Sequence, residues 1–159
     1  MINLGRHSGK GWPNHYIPRQ AADYILEGIT IILLAISWAL CIVPSILEGP
    51  SPETPWVFMG VFTGIIALLL LMLNRISTKH YNFPVRIHEG NIVNQLFLAH
   101  RFIRILALAL SLIPFVLVIS TSPYLAQFHI PSFDIMVRFV PLLIFPILIV
   151  YFIIANKYK

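Results

Sequence analysis

Apolar residues fall in four long runs separated by short polar connections. The runs lie at about 22–47, 56–73, 102–121 and 134–155, and the third is free of charge from Ile105 onward. A helix rises about 1.5 Å per residue, so roughly 20 apolar residues cross a hydrocarbon core. Lipid offers no partner to open backbone groups, so each run is expected to be helical. The pattern predicts an all-α integral membrane bundle of four transmembrane helices, a single membrane domain over 1–159 with a tail at 1–21. The tail is rich in Gly, Pro and His and has no helical period, so 1–18 is expected to be irregular. The charge-free core of the first run, 28–47, exceeds the roughly 7–15 apolar residues of a signal peptide, so a retained helix is expected.

Basic residues orient these spans. Arg6, Lys10 and Arg19 lie in the tail, Arg75, Lys79, Arg86, Arg101 and Arg104 in the central connection, and Lys157 and Lys159 at the end. The connections at 48–55 and 122–133 hold no Lys or Arg, and only Arg138, just inside the fourth run, departs from the pattern. Lys and Arg collect on the cytoplasmic side, so both termini are expected inside. Pro50, Pro52, Pro55, Pro123 and Pro131 make the outer connections turns or extended links. Trp56, Tyr124, Phe128 and Phe133 sit where an interfacial aromatic belt is expected.

Composition agrees with this pattern. Hydrophobic residues make up 58% of the chain and charged residues 11%, against about 25% charged in a soluble domain. Mean hydropathy is +0.82 and the pI about 9.7. The net charge of +5 flanks apolar runs, so anionic headgroups are the expected counter-charge rather than nucleic acid. Cys41 is the only cysteine, which excludes an internal disulfide and a cysteine-based zinc site.

The most distinctive stretch is the central connection. Pro84 biases Phe83 towards an extended backbone, and Glu89 suits a first helical turn. From there Ile92, Leu96, Ala99 and Ile103 recur at helical spacing, with Asn91, Gln95, Arg101 and Arg104 sharing the helix. The third helix is therefore expected to start near Glu89 and run on unbroken, as one element over 89–121.

The segment Asn82-Phe83-Pro84-Val85-Arg86-Ile87, followed by Glu89, Asn91, Gln95, Ala99, Arg101 and Ile103-Arg104, resembles an element of small uncharacterised membrane proteins of Bacteroidetes-type bacteria. Those proteins carry a domain of unknown function shared with the immunity protein against the sporulation-delaying toxin. The final run, from Val140-Pro141-Leu142 through Ile154-Ala155-Asn156-Lys157, is similar as well. The resemblance covers roughly the second half of the chain well and the first helix loosely, and implies the topology above, but no reaction. Family members carry a longer outer loop of the type Ile-Pro-x-His-Phe after the first helix. Only 47–55 stands there in this chain, so no residue of that loop carries over.

Several polar groups are candidate sites. Asp23 and Glu27 lie four apart on one helical face at the start of the first run. They suit either a proton or cation site or an interfacial first turn favoured by the helix dipole. Asp134 and Arg138, also four apart, suit an ion pair that eases Arg138 into the apolar zone, or an anion site. Gly60 and Gly64 form Gly-x-x-x-Gly, which permits close approach of a second copy or of another helix of the same chain. Pro114, Pro141 and Pro146 are expected to kink their helices. The mid-span hydroxyls are mainly Ser37, Thr63 and Ser111, too few to line an aqueous channel. No two of His80, His88 and His100 have the i,i+4 spacing of a metal motif, and no metal or cofactor is expected. The glycines of 5–11 follow no strand and open no helix, so they fail as a nucleotide loop.

No nucleophile–base arrangement is visible, so the expectation is a non-enzymatic protein of the cell inner membrane. Its expected partners are the lipid bilayer and another membrane protein or a second copy, in an accessory, regulatory or immunity-like role. The alternative is a small proton- or solute-coupled transporter using Glu27 and Arg138.

Overall fold

The computed structural model describes residues 7–8, 17–48, 54–76, 80–121 and 139–158. Four α-helices dominate them: α1 Ala21–Glu48, α2 Thr54–Leu73, α3 Ile92–Thr121 and α4 Ile144–Lys157, the last entered through a 3-10 turn at Val140–Leu143. A two-residue antiparallel ladder pairs β1, His7–Ser8, with β2, Asn82–Phe83. Part of the tail expected to be irregular is thus in backbone pairing. Two helices, α1 over Ala21–Val43 and α3 over Ile92–Ile119, are long and apolar enough to cross a membrane, with mean hydropathies of 2.3 and 2.6. The apolar stretches of α2 and α4, Gly60–Leu73 and Ile144–Lys157, are shorter.

α3 is the hub and packs against the other three helices. It buries Leu96, Ala99, Ala107, Ala109, Ile113, Val116, Leu117 and Val118, and the alanines let neighbouring backbones approach closely. α1 does the reverse of a soluble amphipathic helix. Asp23, Thr30, Leu34, Ser37 and Cys41 recur at 3.5-residue spacing and are buried, while Ile25, Ile32, Ile36 and Ile46 face outward, the last 74% exposed. Ser37, Thr30 and Ser111 each donate their hydroxyl to a carbonyl of their own helix at 2.6–2.7 Å, and Thr63 donates to Gly60 at 3.1 Å. These hydroxyls are therefore satisfied locally.

The segment before α3 folds over its first turns. Phe83 is buried with Ile92, Leu96 and Ala99, and Ile17, Tyr81 and Ile87 pack around them. Tyr81 donates its hydroxyl to the Leu73 carbonyl at 2.8 Å, covering the open end of α2. Burial pushes the Tyr81 phenol up, against the opposing pull of the Arg104 charge, so it stays a donor.

α3 begins at Ile92, three residues later than Glu89. Asn91 explains the difference. Its side-chain oxygen accepts from the His88 N–H at 2.9 Å and its amide donates to the Arg86 carbonyl at 3.0 Å, fixing a turn over 86–91. Asn91 is 3% exposed, so Asn91→Ala strands both backbone groups. A loss of about 1–3 kcal/mol is expected, read as a lower thermal midpoint of helical circular dichroism in mild detergent.

Pro141 lies in the 3-10 turn that separates the helical Phe139 from α4, and Pro146 is the third residue of α4. Pro114 is inside α3, as expected. Asp134 and Arg138 lie outside the described residues.

Candidate functional site

A layer of charge joins the start of α1 to the fourth turn of α3. Gln20 precedes α1 and Asp23 is its third residue. The Gln20 N–H donates to the Asp23 carboxylate at 2.9 Å, the return half of a capping box, and the negative charge lies on the favourable end of the helix dipole. The other Asp23 oxygen faces α3, 3.3 Å from Arg104 Nη1 and 3.8 Å from Arg101 Nε. One turn on, Glu27 Oε1 accepts from Arg104 Nε at 2.8 Å and Oε2 from Arg19 Nη1 at 3.3 Å. Arg101 Nη2 donates to Gln20 Oε1 at 2.7 Å, and its guanidinium lies 4.5 Å from the Phe97 ring centre.

Burial decides what this layer does. The side chains of Arg104 and Asp23 are 4% and 3% exposed, and Glu27 is 18% exposed. An ion pair taken out of water gains little net stability, because desolvation offsets the attraction, but removing one partner strands a charge and is costly. Arg104 reaches both carboxylates and is the centre of the layer. Among the described residues three guanidinium groups face two carboxylates, leaving one positive charge over.

The sequence-derived candidates divide accordingly. Asp23 and Glu27 meet Arg101 and Arg104, which sequence reasoning had placed in a separate element. Asp23 takes the first-turn position expected of it, and its pairing with Arg104 is an addition that the sequence reading did not contain. Gln95 is fully buried and donates to the Ala155 and Tyr158 carbonyls at 2.9 and 3.2 Å, holding the end of α4 against α3. Asn91, with the Arg86 carbonyl, shapes the approach to α3. Asn82 lies in the β2 ladder and Pro84 is half-buried, while the Arg86 and Glu89 side chains are exposed. Gly60 and Gly64 face inward: a Cβ on Gly60 would stand 3.6 Å from Pro114, and one on Gly64 2.6 Å from the Trp38 indole nitrogen. Gly-x-x-x-Gly thus serves contacts within the chain, to α3 and α1.

Sequence reasoning missed Arg19 and Gln20 as members of the layer. Their spacing of three to eight residues before Asp23 and Glu27 was the available signal. Chemically the layer is a network of ion pairs in which the buried Asp23 Oδ1 and Arg101 Nε make no hydrogen bond among the described residues. Among the described residues no three His, Cys, Asp or Glu side chains gather as a metal site.

Compared with protein-family models, curated proteins and solved structures, the chain matches none. The class that the fold and site define is therefore the coarse one: a helical chain with two helices of membrane-crossing length and an ion-paired layer joining them.

Proposed function

We propose that the chain is a multi-pass protein of a bacterial inner membrane with four spans and both ends in the cytoplasm. It is non-enzymatic and works through contacts with a membrane-protein partner or with lipid, as an accessory, regulatory or immunity-like subunit. The observation that carries this reading is the inverted pattern of α1, polar residues inward and isoleucines outward. Water would oppose that arrangement and a bilayer favours it. Its apolar window is only 22% buried, unlike the core helix of a soluble domain. Phe58, Phe62 and Leu69 of α2 and Phe145, Ile149 and Ile153 of α4 are exposed in the same way. The charged layer is then the cytoplasmic collar of the bundle, in accord with the Lys and Arg bias. Glu27 is bracketed by two guanidinium groups, which favours a structural clamp over a coupling site for transport.

Reporter fusions combined with purification test the proposal. Alkaline phosphatase fused after Arg86 or at the end of the chain is expected to be inactive, and fused within 122–131 active. Mild-detergent purification is expected to bring down a stoichiometric membrane partner, a second copy or bound lipid. A periplasmic Arg86 fusion removes the topology. Recovery as a bare, lipid-free monomer removes the contact role.

A further inference from the structure

α3 and α4 run antiparallel. Gln95 reaches Ala155 and Tyr158, and two turns further along α3 the Phe102 ring stacks on Tyr151 at 4.2 Å. Beside that stack lies an open groove of about 310 Å³, walled by Leu98, Phe102, Ile105, Ile147 and Val150, with Arg101 as its one charged lining residue. The volume falls at the lower end of ligand-sized sites, about 300–1,000 Å³.

Arg101 is also the least neutralised cation of the charged layer. Arg104 reaches the two carboxylates at 3.3 and 2.8 Å and Arg19 reaches Glu27 at 3.3 Å, whereas Arg101 comes no nearer than 3.8 Å to Asp23. Its Nε is buried and its Nη2 donates to Gln20, while the side chain as a whole is 32% exposed, so only an outer edge of the guanidinium is open to a ligand. Among the described residues one positive charge is left over in the layer, and the apolar stem of Arg101 lines the trough, with its guanidinium outside the apolar wall. A guanidinium carries five donors and suits an oxyanion. The trough excludes a small hydrated ion but accepts a hydrocarbon chain at no cost in unsatisfied polar groups.

We propose that this groove binds an anionic phospholipid of the cytoplasmic leaflet, one acyl chain lying between α3 and α4 and the phosphate on Arg101. This rests on the membrane reading above. The chain supplies the apolar fill and the phosphate supplies the missing negative charge, a pairing found together in an anionic lipid.

Native mass spectrometry of the full chain, released from mild detergent after incubation with phosphatidylglycerol or phosphatidylcholine of equal acyl length, tests it. Wild type is expected to retain phosphatidylglycerol over phosphatidylcholine by about tenfold. Arg101→Gln is expected to equalise the two lipids. Val150→Phe, at a groove position that is half exposed, is expected to lower retention of both while leaving the melting temperature near wild type. Should Arg101→Gln fail to fold, the wild-type ratio and Val150→Phe still decide. Equal retention of both lipids by wild type, unchanged retention by Val150→Phe, or full displacement of phosphatidylglycerol by excess inorganic phosphate overturns the proposal. A chain inserted with Arg86 inside yet indifferent to the lipid headgroup overturns this inference alone. A chain whose Arg86 fusion is periplasmic overturns the membrane topology first.

Discussion

Arg104→Leu is expected to lower the stability of the folded chain by about 3–5 kcal/mol, the usual consequence of removing one partner from a buried ion pair. The size follows from geometry. Among the described residues Arg104 is the one side chain ion-paired with both Asp23 and Glu27, and it is itself 3% exposed. Leucine fills much of its volume, so the loss reports charge rather than a cavity. Asp23 retains only Arg101 at 3.8 Å, and Glu27 retains only the half-exposed Arg19. If the penalty is a stranded charge, neutralising the stranded groups must recover it. Asp23→Asn with Glu27→Gln on the Arg104→Leu background is therefore expected to regain more than half of the loss, although it deletes more native contacts. The layer is largely shielded from solvent, so these differences are expected to change little with added salt, unlike those of surface pairs. Thermal midpoints of helical circular dichroism in mild detergent read all three variants. An Arg104→Leu midpoint equal to wild type, or a triple variant less stable than the single, shows that the layer does not hold α1 to α3.

The run lengths that marked four helices are a local signal: two of them agree with α1 and α2 to within two residues at either end, and the third, at 102–121, is the apolar part of a helix that begins ten residues earlier, close to the start expected near Glu89. Helix existence depends on the length of an apolar stretch, which is written contiguously. The pairing of helices is not. Asp23 and Glu27 stood out because acids at the edge of an apolar run are expensive wherever they sit. Their partners were invisible for a definite reason: Arg104 lies 77 residues from Glu27, and Arg101 lies 81 from Gln20. Nothing in the spacing along one helix says which face of another it will meet. The arginines were instead read collectively, as a statistical marker of the inner side. Gln95 illustrates the same limit, since its acceptors lie 60 and 63 residues on. The polar stripe of α1 differs, because it is local: Asp23, Glu27, Thr30, Ser37 and Cys41 repeat at helical spacing within one segment, yet sequence reasoning did not assemble them into one face.

Gly-x-x-x-Gly is the intermediate case, because the motif announces close approach without naming what approaches, and it yields a sharp prediction. The two glycines are expected to differ strongly although they lie one turn apart on α2. A methyl on Gly60 meets Pro114 at 3.6 and 3.9 Å, ordinary contact distances. Gly60→Ala is thus expected to be neutral or slightly stabilising, since alanine favours a helix over glycine by about 1 kcal/mol. A methyl on Gly64 would stand 2.6 Å from Trp38 Nε1 and 2.9 Å from two ring carbons. The indole is a rigid plate, and clearing that overlap means shifting the whole ring or parting α1 from α2. Overpacking of this kind typically costs about 1–3 kcal/mol, and Gly64→Leu is expected to lie at or beyond the top of that range. A clash can be relieved from either side, so Trp38→Leu is expected to erase most of the Gly64→Ala penalty. The double variant should then be more stable than the sum of the singles predicts. Melting curves of the four proteins close that cycle, and the particle mass in detergent supplies the independent reading. A Gly64→Ala chain that melts like wild type but changes its oligomeric mass shows that the motif faces a second copy. A chain that loses stability at constant mass, and recovers it when Trp38 is trimmed, shows that the motif lets α2 lie against α1.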